Sequence, residues 1–377
     1  MIPFNVPPCT GLECEYMKKA VESHKICGDG EFTEKCDAWL EKKTGAARVL
    51  LTTSCTHATE MAALLAGIKP GDEVIMPSFT FCSTADAFVI RGATAVFIDI
   101  RPDTMNMDEK VIEAAITKKT KAIVPVHYAG VGCEMDVIQQ IAAAYNLLVI
   151  EDAAQAVTAS YKGKQLGAIG DYGCFSFHET KNFSMGEGGA ILVKNASYTE
   201  KAEIIREKGT NRSKFLRGQI DKYTWVDVGS SYLPSDLNAA YLWPQLDGSD
   251  EITADRMKTW NTYRKELQNL ADDGKIELPF VPEYCQHNAH MFYIKTKNLQ
   301  ERTDFISYMK ANDICTVFHY IPLHTAPAGN KYGRFSGNDI YTTKESERLV
   351  RLPLYYRMSK NDQEKVIQKI YDFYKKR

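Results

Sequence analysis

Within the stretch 171–193, DYGCFSFHETKNFSMGEGGAILV, stands a single lysine, Lys181. Residues 172–177 form an aromatic and apolar run of strand type, Gly186, Gly188 and Gly189 mark a tight turn, and 190–193 resume as a strand. A lysine on a rigid loop between buried strands can be desolvated, which lowers its pKa and frees the neutral amine as a nucleophile toward carbonyls. Most lysines are simply solvated, so a second observation is needed to single this one out. Upstream, 147–154 reads LLVIEDAA, a continuous apolar run of the buried parallel type that ends in Glu151 and Asp152 and leads to Gln155. An acid at the carboxyl end of one buried strand and a lysine after a later one are the pair that pyridoxal phosphate chemistry requires. The lysine forms a Schiff base, and the aspartate keeps the pyridinium nitrogen protonated so that the ring accepts electrons.

Positioning such a pair takes a sheet. Strand-like runs occur at 48–53, 73–77, 94–100, 122–128, 147–152, 172–177 and 190–193, with helical stretches between most of them. This alternation predicts an α/β fold: a mostly parallel seven-stranded sheet with helices on both faces. In such sheets the ligand lies beyond the carboxyl ends of the strands. Helices are expected over 12–25 and 33–43. The intervening GDGEF at 28–32 reads as a loop, and not as a dinucleotide fingerprint, since no strand precedes it and the third glycine is absent. From about residue 254 a long polar helix, ADRMKTWNTYRKELQNLAD, leaves the sheet region. Shorter strands at 291–295 and 315–319, with helices at 301–312 and 360–375, read as a smaller α+β unit. The expected division is therefore a large α/β domain over 12–250 and a small domain over 251–377 joined by 1–11, sharing a packed interface.

The chain has 377 residues and a net charge of -2, enough length for a sizeable core and no excess of either sign. Nothing points to nucleic acid or to an anionic membrane surface. No apolar run approaches a membrane span, and the start MIPFNVPPCTG lacks the basic-then-apolar pattern of a secretory signal, so a cytoplasmic location without membrane insertion is expected. The ten cysteines are scattered with no CxxC pair, and most are expected to be reduced, buried small hydrophobes. His178 and Glu179 begin a zincin-like pattern, but Asn182 stands where its second histidine belongs, so no metal is expected.

Two further stretches carry binding chemistry. The first strand ends in TSCTH at 53–57 and a helix follows. Free backbone N–H groups with small hydroxyls at a helix start suit a phosphate, although Ser and Thr are also ordinary helix caps. PSFTFCS at 77–83 follows another strand and offers an aromatic to stack on a flat ring, where aromatics also commonly fill cores.

Together these stretches resemble the DegT/DnrJ/EryC1/StrS sugar-nucleotide aminotransferases, a family of fold type I pyridoxal phosphate enzymes. The resemblance runs from IPFN at 2–5 through GDGEF, 77–83, EDAAQ at 151–155, FSFHETK at 175–181 and GEGG at 186–189 to LPL at 352–354. It implies that Lys181 carries the cofactor, Asp152 pairs with the pyridine nitrogen, and Gln155 lies beside the phenolic oxygen. It also implies that Phe81 stacks on the ring and that Cys55, Thr56 and Ser176 hold the phosphate. Many relatives carry an Asn and an Arg in the segment matching 229–235, the Asn reaching a phosphate held by the partner subunit. Here Ser231 and Leu233 stand there, and a serine is shorter with one donor. The resemblance further implies a homodimer with shared active sites, L-glutamate as amino donor and a nucleotide sugar as acceptor, with His319, Tyr320 and His324 as sugar contacts. Relatives that dehydrate sugars carry a histidine at the position of Lys181, so the lysine implies amine transfer.

Overall fold

The computed structural model describes residues 1–375. The apolar runs become strands because their β-branched and aromatic side chains fill a pleated surface buried on both faces. These are β1 (Arg48–Thr52), β2 (Glu73–Pro77), β3 (Thr94–Ile98), β4 (Thr120–Ile123) and β5 (Leu148–Asp152). After a short ribbon of β6 (Ser160–Tyr161) and β7 (Lys164–Gln165) come β8 (Tyr172–Ser176) and β9 (Gly189–Val193). The C-terminal part adds β10 (Cys285–Gln286), β11 (Phe292–Lys295), β12 (Gly333–Phe335) and β13 (Leu349–Leu352).

The main sheet has eight strands in the order β1-β9-β8-β5-β4-β2-β3-β12. Every neighbouring pair from β8 to β12 is parallel, and β9 runs antiparallel to both β1 and β8. The expected seven strands are all there. The eighth, β12, comes from the C-terminal part and has three half-buried residues, too few to show a pattern in sequence.

Alternation along the strands divides the core between two layers. Val49, Leu51, Ile75, Val96 and Ile98 pack with Phe32, Leu40 and Ile138 on one face, while Leu50, Val74, Met76, Ala95 and Phe97 pack with Met61, Leu65 and Phe88 on the other. The first face is covered by α1 (Glu13–Glu22) and α2 (Glu31–Thr44), with the helix Met135–Tyr145; the second by α3 (Cys55–Leu65) and α4 (Cys82–Val89). Glu31 and Phe32, expected in a loop, open α2.

A separate core gathers Ile2, Trp260, Tyr263, Phe292, Ile294, Phe305, Val350, Leu352 and Ile370 around the antiparallel pair β11-β13. The helices Ser249–Glu266, Leu299–Ala311 and Lys360–Lys375 supply much of it. The expected strand at 315–319 does not form: among the described residues the segment makes the isolated bridge Val317 to Arg351, after the bridge Ile2 to Ile314, and has no continuous strand partner. A fourth cluster, with Phe79, Tyr128, Met291, Tyr293 and Leu349, joins this core to the sheet. All ten cysteines are free, but only Cys36, Cys133, Cys174 and Cys285 are buried. Cys9, Cys14, Cys27 and Cys82 fall on exposed positions, so burial is not the rule expected for them.

Candidate active site

β5 delivers two adjacent carboxylates to opposite faces, as a pleated strand must. Glu151 is fully buried and accepts from the backbone N–H groups of Gly167 at 2.8 Å, Ile169 at 2.7 Å and Gly170 at 2.5 Å, with His127 Nε2 at 2.8 Å. It fastens the 167–170 loop beneath the sheet. Asp152 faces the other way: its Oδ2 accepts from Thr84 Oγ1 at 2.7 Å and its Oδ1 from the Ala154 N–H at 3.1 Å. Thr84 lies in turn 2.8 Å from the Thr80 hydroxyl. Asp152 is only 8% exposed, yet no cationic side chain among the described residues pairs with it. A buried carboxylate so placed gains from a protonated ring nitrogen.

Lys181 sits in the turn between β8 and β9. The turn is closed by Glu179 N–H to the Gly186 carbonyl and Phe177 N–H to the Gly188 carbonyl, at 2.9 and 2.8 Å, with Gly186 at φ +80. The lysine lines a small recess with Gln155, Ser176, Asn182, Asn288 and His290. Burial pushes its pKa below the ordinary lysine value, and the charge of Arg351 acts in the same direction, against Cys55 and Asp152. The neutral amine is thereby made accessible.

The start of β9 and the start of α3 meet closely. A Cβ added at Gly189 would lie 2.4 Å from Cys55 N and 2.5 Å from the Ser54 carbonyl carbon, so only glycine lets the strand pass there. Ser54 caps α3 by accepting from His57 N–H at 3.0 Å, which leaves Cys55 and Thr56 as the first-turn amides. Ser176, buried at the end of β8, is 5% exposed. These groups meet near Lys181 and Asp152, and free amides at a helix start are of the kind that suits an anion.

Gln155 is held at both ends: its Oε1 accepts from Ala129 N–H at 2.7 Å and its Nε2 donates to the Tyr320 hydroxyl at 3.1 Å. Tyr320 stacks on His319 at 3.6 Å and adopts φ +33, a left-handed backbone that the surrounding contacts must hold in place. His319 Nδ1 lies 2.8 Å from the hydroxyl of fully buried Tyr128. Burial holds His319 neutral and Tyr128 protonated, so the phenol donates. Phe81 is 55% exposed and lies 6.2 Å from Tyr320; the buried aromatic of that stretch is Phe79.

Two residues have other partners. His324 is tied by Nδ1 to Ser78 Oγ at 2.7 Å and by Nε2 to Asp339 at 3.1 Å, so both ring nitrogens are engaged by the chain itself. Ser231 lines a different cleft of about 590 Å³ with Lys208, Arg212 and Tyr223, and within one chain it does not join the Lys181 recess. The sequence reading missed Thr84, Asn182, His290 and Arg351. His290 Nδ1 lies 2.9 Å from Asn182 Oδ1, and Asn182 Nδ2 donates to the Asn288 carbonyl at 2.8 Å, which braces the lysine turn. Only the adjacency of Asn182 to Lys181 hinted at this in sequence.

A family model described as the DegT/DnrJ/EryC1/StrS aminotransferase family matches residues 10–371. The chain belongs to that family. GDP-perosamine synthase of Caulobacter vibrioides is 34% identical over 85% of this aminotransferase and 85% of its own length. The spore coat polysaccharide biosynthesis protein SpsC of Bacillus subtilis is 32% identical over 99% and 97%. Among solved structures, the putative sugar aminotransferase Spr1654 of Streptococcus pneumoniae in its PLP form superposes with a TM-score of 0.91, at 26% identity, over 100% of this chain and 99% of that one. Among the described residues no helix of this aminotransferase is long and apolar enough to cross a membrane.

Proposed function

We propose that this aminotransferase moves the amino group of L-glutamate to C4 of dTDP-4-dehydro-6-deoxy-D-glucose. The product, dTDP-4-amino-4,6-dideoxy-D-galactose, would serve surface polysaccharide synthesis of the enterobacterial common antigen and lipopolysaccharide type, in the cytoplasm. The observation that carries the catalytic part is the desolvated Lys181 amine facing the same site as Asp152, a buried carboxylate without a cation. The choice of sugar is supported by resemblance to the transaminase of that reaction in HETKN at 178–182, DVGSSYLPSDLNAAYLWPQL at 227–246, NAHMFYIK at 288–295, VFHYIPLH at 317–324 and YTTKESERLVRLPLYY at 341–356.

The residues fit pyridoxal 5′-phosphate. Lys181 would hold it covalently, Asp152 would face its ring nitrogen, Phe81 its ring, Gln155 its phenolic oxygen, and Cys55, Thr56 and Ser176 its phosphate. When bound, the cofactor supplies an electron sink that makes the donor Cα–H acidic. Lys181 Nζ, whose burial favours the neutral amine, accepts that Cα proton and in the second half-reaction delivers one to sugar C4. Thr84 keeps the Asp152 carboxylate oriented throughout. His319 and Tyr320 stand beside Gln155 as the sugar contacts from the C-terminal part, and His324 holds Ser78, just after β2. Ser231 would complete the phosphate site of the partner subunit in a homodimer.

The test is an absorption spectrum of the purified protein before and after L-glutamate, for wild type and Lys181→Ala, followed by product analysis with dTDP- and UDP-linked keto sugars. Conversion of the pyridoxal to the pyridoxamine band in wild type alone, and turnover of the dTDP-4-keto sugar, is expected. Failure to bind the cofactor even when it is supplied would refute the catalytic reading and leave a non-catalytic homologue. The likeness to GDP-perosamine synthase favours, as second reading, another keto-sugar nucleotide as acceptor.

A further inference from the structure

β13 places one arginine where the two halves of the molecule meet. Arg351 lies opposite Tyr293 of β11, and its backbone exchanges hydrogen bonds with Val317 at 2.8 and 3.3 Å, two residues before His319. Its guanidinium covers the ring of Phe4 at 4.6 Å. The next residue, Asn5, donates through Nδ2 to the Glu179 carbonyl at 3.1 Å, in the turn that carries Lys181. The guanidinium is thus fixed between the lysine turn and the His319–Tyr320 segment. Its positive charge acts on Lys181, His290 and His319, lowering the pKa of each.

Arg351 has few partners of its own. One Nη donates to the Phe318 carbonyl at a long 3.3 Å, and Nε is buried with no acceptor. No carboxylate among the described residues pairs with it, and burial pushes its pKa below the ordinary arginine value. Arg348, three residues earlier, meets Glu277 and Glu345, and Arg101 meets Asp103 and Glu134. Arg256, fully buried, is bound by the carbonyls of Ala289 and His290. A guanidinium offers five donors in a planar fork that matches a carboxylate, so Arg351 has donors to spare within electrostatic reach of the reacting amine.

We infer that Arg351 binds the carboxylate of the amino-acid donor. This rests on the transaminase reading above. In an amino acid the carboxylate is attached to the same carbon as the transferred amine, so the group that holds it must stand beside Lys181. In the acceptor the diphosphate hangs from C1, across the sugar ring from C4, and its binding site lies farther from the lysine.

The test separates the half-reactions in Arg351→Met and Arg351→Lys holoenzymes. Conversion of the pyridoxal form by L-glutamate is followed by absorbance, and conversion of pyridoxamine-phosphate-loaded enzyme by the keto-sugar nucleotide is followed by product. Binding of glutarate, an unreactive dicarboxylate, is read by calorimetry. The expected result for Arg351→Met is a loss of about 10- to 100-fold in glutamate conversion at low donor, in line with a charge-assisted bidentate pair. Glutarate binding should disappear, and the sugar half-reaction should change by less than about threefold, an uncoupled site by additivity. Equal losses in both half-reactions with glutarate binding intact would overturn the inference, as would a loss confined to the sugar half-reaction, which assigns Arg351 to the diphosphate. Should Arg351→Met fail to hold the cofactor, Arg351→Lys decides: it keeps the charge without the fork and must impair the glutamate half selectively. A wild type that transaminates with no amino acid sinks the proposed function, while glutarate binding to wild type and variants still judges Arg351 on its own.

Discussion

Gly189→Ala is the most direct perturbation of the proposed phosphate site. The new methyl would stand 2.4 Å from Cys55 N and 2.5 Å from the Ser54 carbonyl carbon, about 1 Å inside an ordinary contact, and both atoms are backbone. Neither can rotate away. Gly189 pairs with Thr52 across β1 and with Ser176 across β8, so relief must come either from those ladders or from the start of α3. Overpacking of this kind costs about 1–3 kcal/mol. Because the first turn of α3 is less constrained than a strand paired on both sides, much of the shift should appear as displaced Cys55 and Thr56 amides. The expected outcome is a loss of about 10-fold or more in affinity for pyridoxal phosphate, from about 1.4 kcal/mol or more of lost contact. Affinity for pyridoxal, which lacks the phosphate, should barely change. Spectrophotometric titration of the apoenzyme with both compounds measures this. Equal weakening toward both compounds, or none toward either, would refute the assignment of Cys55 and Thr56 to phosphate.

Thr84→Val removes the 2.7 Å hydroxyl donor from Asp152 at nearly constant volume, and hydrogen bonds to charged groups contribute about 1.5–3 kcal/mol. Stopped-flow conversion by glutamate should slow by about 10- to 100-fold while the melting temperature stays within a few degrees, and an unchanged rate would remove Thr84 from the site. Glu151→Gln turns an acceptor of four hydrogen bonds into a group that also donates, facing the N–H groups of Gly167, Ile169 and Gly170. Urea unfolding should show a loss of about 3–5 kcal/mol, and a loss under about 1 kcal/mol would mean that the 167–170 loop does not depend on it. The depressed Lys181 pKa makes the sign of a pH profile definite: the reactive amine is neutral, so the glutamate half-reaction should rise with pH and level off below the ordinary lysine value. In Arg351→Met that midpoint should move upward, because a like charge is removed, and a downward shift would contradict the electrostatics described.

The chemistry of Lys181 and Asp152 was legible in the sequence because it depends on local order: a lysine in a glycine-marked turn between strands, and an acid ending a buried apolar run. The same local order disclosed the seven strands and a helix after TSCTH, although that helix opens earlier, at Cys55, since side-chain period and turn residues are set by neighbours along the chain. Which of Glu151 and Asp152 faces the site was decided by the sheet, because a period of two says only that they point apart. Thr84 reaches Asp152 across 68 positions, and Ser78 reaches His324 across 246. Such pairs exist only once the sheet order is set, which is why His324 could be read as a sugar contact and proves to be anchored at both nitrogens. The eighth strand was invisible for a related reason: three residues at a sheet edge take their conformation from β3 and not from their own pattern. Arg351 shows the division most clearly. Its sequence neighbours carry part of the family resemblance but do not say which arginine lacks an ion pair, and only the packing of β13 leaves its guanidinium without a carboxylate and within electrostatic reach of Lys181.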